Sequence, residues 1–281
     1  MAVYTAIDDP EAYFQAKLYT GNGGTQSITF DGDTDLSPNM VWIKDRGDTD
    51  HNTITDTVRT AVTYRLIVNA TNAESNKTNG TTAFNSDGFS LGDHADYNES
   101  SATYVAWCWK ESADAGFDIV LHTGNGSART ISHSLSAKPD FFVVKGRSYA
   151  EQWECYHKTL GATKCLQWDD NSAEADLLNR FNDTEPTSSV FTVGDADAVN
   201  KNTYTYVTYL WSGKQGFSKF GSYVANNNAD GPFIYLGFRP AYLMVKSYLN
   251  AQDWEIFDNK RSTFNPVEKN LAANVTTVEQ T

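Results

Sequence analysis

The 281 residues carry 35 acidic against 22 basic side chains, a net charge of −13, and an acidic surface of this kind repels the phosphates of nucleic acids and anionic membranes. No apolar run approaches the ~18 residues of a membrane span, and three cysteines are too few for a disulfide framework. What remains is a soluble, cytoplasmically made chain rich in short β-branched and aromatic runs.

In chain order, residues 1–11 read as an N-terminal anchor segment. Met1–Pro10 lacks the basic and apolar regions of a signal peptide, and Asp9-Pro10-Glu11 suits one capped helical turn. Gly21-Asn22-Gly23-Gly24 supplies positive φ for a tight turn. A phosphate-cradling role would need a following helix and a closing Lys-Ser/Thr, and neither is present. Val41–Lys44 and Tyr104–Trp109 are strands. The second puts Tyr104, Ala106 and Cys108 on one face and Val105, Trp107 and Trp109 on the other, apolar both ways, so it is covered on both sides. Further on, Cys155 and Cys165 are placed to face each other across a hairpin as free thiols. Ser172–Phe181 is the best longer helix.

A fixed interval organises these runs. Pro38, Pro139 and Pro240 lie 101 residues apart, and each opens an apolar run ending in Lys44, Lys145 or Lys246. Trp153 and Trp254 keep the interval, as do Asp56, His157 and Asp258. Each copy is then one structural unit. The chain divides into β-sandwich module one (residues 12–111), module two (112–213) and an incomplete module three (214–281), joined by linkers too short for independent flexing. The strands answering Phe191 and Tyr206 would fall ~10 to 30 residues beyond Thr281. A sandwich lacking two strands needs a cover, from a neighbouring chain or from further residues. The fold class is all-β, as tandem sandwich modules of jelly-roll or lectin-like kind.

Candidate chemistry is sparse. Asp31, Asp33 and Asp35 have the opening spacing of a calcium loop, but Trp42 stands where its last Glu belongs and no other module repeats the acids. An exposed acidic turn is the simpler reading. Trp168 with Asp169 and Asp170 suits a sugar ring by stacking and hydroxyl hydrogen bonds, unless Trp168 packs under the following loop. No histidine spacing suits a metal, no nucleophile elbow exists, and no acidic pair recurs across modules. The expectation is a protein without catalytic residues, cofactor or tight metal site.

Tyr13-Phe14-Gln15, Leu18–Gly23, Phe84–Gly92, Tyr104–Trp109, Gly216–Tyr223 and Gly237–Ala241 resemble a repeated virion protein of marine tailed phages, over nearly the whole chain. The resemblance implies a tail-fibre, receptor-binding or capsid-surface decoration role by multivalent, non-catalytic binding. Its implied partners are other virion proteins, further copies of itself and a host surface glycan or protein. A carbohydrate-binding module or glycan-cleaving enzyme is the alternative.

Overall fold

The computed structural model describes residues 5–281, so the first four residues of the expected anchor segment lie outside it. Module one contributes β1 (Phe14–Thr20), β2 (Gln26–Ile28), β3 (Met40–Asp45), β4 (Thr53–Asp56), β5 (Tyr64–Ile67), β6 (Ser75–Asn76), β7 (Thr81–Asn85), β8 (Gly88–Leu91) and β9 (Thr103–Trp109). Module two contributes β10 (Phe117–Thr123), β11 (Arg129–Ser132), β12 (Phe141–Gly146), β13 (Trp153–His157), β14 (Lys164–Gln167), β15 (Ala175–Asp176), β16 (Val190–Val193) and β17 (Thr205–Trp211). Module three has β18 (Tyr242–Val245), β19 (Glu255–Asp258) and β20 (Leu271–Ala272). The protein is all-β and antiparallel, and no helix among the described residues is long and apolar enough to cross a membrane.

Modules one and two build the same sheet. Its order is β1-β9-β3-β4-β5-β6 in one and β10-β17-β12-β13-β14-β15 in the other. The registers agree as well: Met40 pairs with Trp109 as Phe141 pairs with Trp211. A second small sheet lies on each, β2-β8-β7 or β11-β16. Strand alternation then gives every central strand two buried faces. Tyr104, Ala106 and Cys108 of β9 enter the core under the small sheet, with Phe89 and Leu91, while Val105 and Trp107 enter a different core.

That second core is common to all three modules. It joins Trp42 and Trp107 of module one, Trp153, Trp168 and Tyr209 of module two, and Trp254 and Ile256 of module three. The indoles meet edge to face, Trp42 to Trp107 at 5.1 Å and Trp42 to Trp168 at 5.0 Å between centroids. Each such pair adds about 0.5–1.5 kcal/mol to the area it buries. Shared burial makes a cycle in which every module touches both others.

The glycine-rich corners are pinned by one buried side chain each. Asn98 Nδ2 donates to Asn22 Oδ1, Gly24 O and Gly92 O, and Asn200 Nδ2 repeats the set with Asn125 Oδ1, Ser127 O and Gly194 O. A Cβ on Gly21 would stand 2.0 Å from Glu99 O, and one on Gly124 2.1 Å from Lys201 O, so close backbone approach demands glycine at both.

Two local expectations are corrected. Residues 172–181 hold only one helical turn, Leu178–Phe181, because Ala175 and Asp176 pair with Cys165 and Lys164 at the sheet edge. Cys155 and Cys165 do not face each other: Cys155 points into the common core and Cys165 into the module-two core, both as free thiols.

Candidate functional site

Two of the most deeply placed charged pairs lie where modules meet. Asp56 ends β4 and its Oδ1 accepts from the Val58 and Arg59 amides at 3.1 and 2.9 Å. Arg59 Nε returns to Asp56 Oδ2 at 2.6 Å, and Arg59 Nη2 donates to Ile54 O at 3.0 Å. Asp258 and Arg261 repeat this at the end of β19, with Nε to Oδ2 again 2.6 Å and Nη2 to Ile256 O 2.8 Å. Both pairs are fully buried. Burial works against the Arg59 charge, yet Asp56, Tyr209 and Glu74 together outweigh it and hold the guanidinium above its ordinary range.

Each buried acid also receives a donor from another module. Tyr209 Oη donates to Asp56 Oδ2 at 2.6 Å, and Trp107 Nε1 donates to Asp258 Oδ2 at 3.1 Å. The donors hold equivalent places, on β17 and β9. The cycle continues through the lysines that end the apolar runs. Lys145 Nζ donates to Thr71 O at 2.9 Å, Lys246 Nζ to Asn171 O at 3.0 Å and Lys44 Nζ to Val275 O at 2.8 Å. Module two thus grips one, three grips two, and one grips three. Burial, with only carbonyl partners, pushes the Lys44 and Lys145 ammonium groups down to about 8. Arginine forks seal two of the three seams: Arg147 on Glu74 at 3.0 Å by both nitrogens, and Arg46 on Glu279 at 2.8 and 3.0 Å. At the third seam Tyr248 takes the arginine's place, and its backbone O accepts from Glu174 N where the other seams have a fork.

The residues singled out from sequence fall into this framework. Trp168 does not face a ligand: it is 1% exposed, wedged among Trp42, Trp153 and Phe141. Asp169 Oδ1 accepts from Trp153 N at 3.0 Å, as Asn69 accepts from Asn52 N and Asn274 from Trp254 N. It is the module-two copy of a structural cap, and burial pushes its carboxyl up to about 6. Asp170 folds back on Ser172. Around the acidic turn, Asp31 is tied to Lys260 at 2.9 Å and Lys17 at 3.6 Å, while Asp33 and Asp35 are exposed. No group of three His, Cys, Asp or Glu side chains converges to hold a metal among the described residues.

One pair of acids came together unannounced by the sequence. Glu111 and Asp118 both line a pocket of about 280 Å³ at the junction of modules one and two, together with Asn39, Ser112 and Ser134. Asp118 accepts from the Ile119 and Ser134 amides. Burial first, and then the neighbouring Asp118, push the Glu111 carboxyl up to about 7. Nothing in the spacing announced this, since Gly213 and Ser218 stand at the matching places of the next module.

Fold and site together define an all-β protein whose three modules close on one core, with two buried Asp–Arg pairs at the seams. The chain belongs to the DUF7483 family, a domain of unknown function, which matches residues 9–281. Comparison with curated proteins and with solved structures gave no match.

Proposed function

We propose that the protein is a virion structural component, in a tail fibre or as decoration of the capsid surface, acting by multivalent and non-catalytic binding. The observation that carries this reading is where the charged groups are committed. The buried Asp–Arg pairs, the three lysines and both arginine forks connect module to module, and so build a stiff acidic body rather than a reaction centre. Such a body keeps identical copies soluble at high local concentration and presents weak contacts many times over. The direct test is gold-labelled antibody against the chain on purified particles, with mass spectrometry of the same particles. Labelling at one fixed structural position supports the reading, and recovery of the chain only from the particle-free fraction contradicts it.

A second reading, a carbohydrate-binding module or glycan-cleaving enzyme, is favoured by one observation. Glu111 and Asp118 line one pocket and burial raises the Glu111 carboxyl, and a raised carboxyl next to a second acid is the makeup of a general acid. Reducing-sugar release from host polysaccharide, abolished by Glu111→Gln, would establish it. No release by the native chain removes it.

A further inference from the structure

The glycine-rich corners of modules one and two are built alike, but at one strand position a tyrosine is exchanged for a histidine. In module one, Tyr19 of β1 stacks on Tyr104 of β9, with centroids 5.1 Å apart and planes at 13°. Its hydroxyl donates to Tyr97 O at 2.8 Å. In module two, His122 of β10 stacks on Tyr206 of β17 at 4.8 Å and 8°, and its Nε2 lies 3.0 Å from Val199 O. The two pairs stand in the same register. His122 thus does the tyrosine's work, packing on an aromatic face and tying its strand to the helical turn Asp197–Asn200.

The histidine adds a liability that the tyrosine lacks. A carbonyl accepts, so the proton of the neutral ring sits on Nε2 and Nδ1 is bare. Nδ1 is enclosed, with no hydrogen-bond partner among the described residues. A second proton would put a charge and an unmatched donor inside the corner. The groups facing the ring do not offset that cost. From β17 comes Tyr206, whose hydroxyl is engaged with Asp197 O, Lys201 N and Tyr149 Oη. From β11 comes the Arg129 guanidinium, which repels a second positive charge. From the turn comes the Val199 carbonyl, while Asp197 is exposed and paired with Lys201 Nζ at 2.8 Å. Burial first, opposed by the Val199 bond and aided by Arg129, pushes the imidazole down to about 4.

The ring holds more than its own strand. Val199 precedes Asn200, the side chain that pins the loop through Asn125 and Ser127, and Asn200 O also takes Gly126 N at 2.8 Å. Releasing the ring therefore loosens turn and loop together.

We infer that His122 is an acid-operated latch on the module-two corner: once protonated, the ring leaves its place against Tyr206 and Val199, and the loop 124–128 opens with the turn Asp197–Asn200. The common core contains none of these residues and stays closed. The folded ring takes its proton at lower pH than the unfolded one. The latch is therefore fully closed above the ordinary value of 6.5 and is lost as pH falls toward about 4. It works whatever the protein binds.

Amide exchange on the full chain, expressed against the intrinsic rate at each pH, tests the latch, with the His122 ring resonance followed in the same samples. Protection of the Gly124, Gly126 and Asn200 amides should fall ~30-fold between pH 7 and 5. The ring should titrate well below 6.5. In His122→Tyr, which rebuilds the module-one pair, protection should stay level over that range. His122→Phe keeps the stack without the bond to Val199 O, so protection should be lower at pH 7 and equally level. These variants are the control in place of the module-one corner, because His94 caps the turn there. A ring titrating at its ordinary value, level protection in the native chain, or a fall that survives in both variants would overturn the inference. So would an equal fall at the amides of Trp153 and Tyr209, which would mark unfolding of the whole chain.

Discussion

Phe142 and Leu243 hold one place in the repeat, each in the apolar run between the repeat's proline and its lysine, yet Phe142 is 1% exposed and Leu243 43%. The difference lies in their neighbours. Phe142 stacks on Tyr156 and meets Phe191 of the small sheet, and β17 covers its flank. Leu243 has β19 on one side and no strand on the other among the described residues. The same local sequence is thus core in a closed wall and surface in an open one, and the comparison teaches that a strand pattern predicts burial only when its sheet is complete.

The largest expected effect comes from the seams. Arg59→Leu leaves Asp56 buried without its charge partner and should destabilise the chain by about 3–5 kcal/mol in chemical unfolding. Arg261→Leu should do the same at Asp258, because the third module joins the common core fully at that seam. A loss confined to Arg59 would mean that module three is only loosely attached.

Next in size is the wall itself. Phe142→Ala should lower stability by about 3–5 kcal/mol. Leu243→Ala, at the matching place, should stay within about 0.5 kcal/mol. Comparable losses at the two positions would show that module three is already covered.

A smaller effect concerns the junction acids. The Glu111 carboxyl is raised in the folded state, so its contribution is fully present below its unfolded value and is lost as pH climbs through about 7. The difference in stability between the native chain and Glu111→Gln should therefore change between about pH 4.5 and 7, with the native chain losing ground as pH rises. A difference flat across that window would show that the Glu111 carboxyl is not raised in the folded state. Smallest is calcium: with Asp31 held by Lys260 and Lys17, calorimetric titration should give no saturable heat. A transition abolished by Asp33→Ala would restore the turn as a metal loop.

The repeat phase was legible because prolines, apolar runs and lysines recur in sequence. The all-β class was legible in short β-branched and aromatic runs, and the doubly covered Tyr104–Trp109 strand in its apolar alternation. What Lys44, Lys145 and Lys246 do was not legible, since their acceptors Val275, Thr71 and Asn171 lie in other modules. Asp56 and Asp258 were recognisable as recurring, but the need for a carboxylate shows only beside Arg59 and Arg261. Trp168 was misplaced for a subtler reason. Its true counterparts are Val68 and Ala273, whose amides bond to Asn52 O and Trp254 O as Trp168 N bonds to Trp153 O. Loops of unequal length shift that alignment off the 101-residue phase, which hid three core positions behind a polar Asp-Asp turn.

Hydrogen exchange on the intact chain tests most directly the claim of two closed walls and one open. Amides of residues 40–45 and 141–146 should exchange only through global unfolding, from both strand edges. In residues 242–246 the amides directed at β19 should be protected and those on the opposite edge should exchange orders of magnitude faster. Uniform protection across residues 242–246, matching that of residues 141–146, would contradict the account.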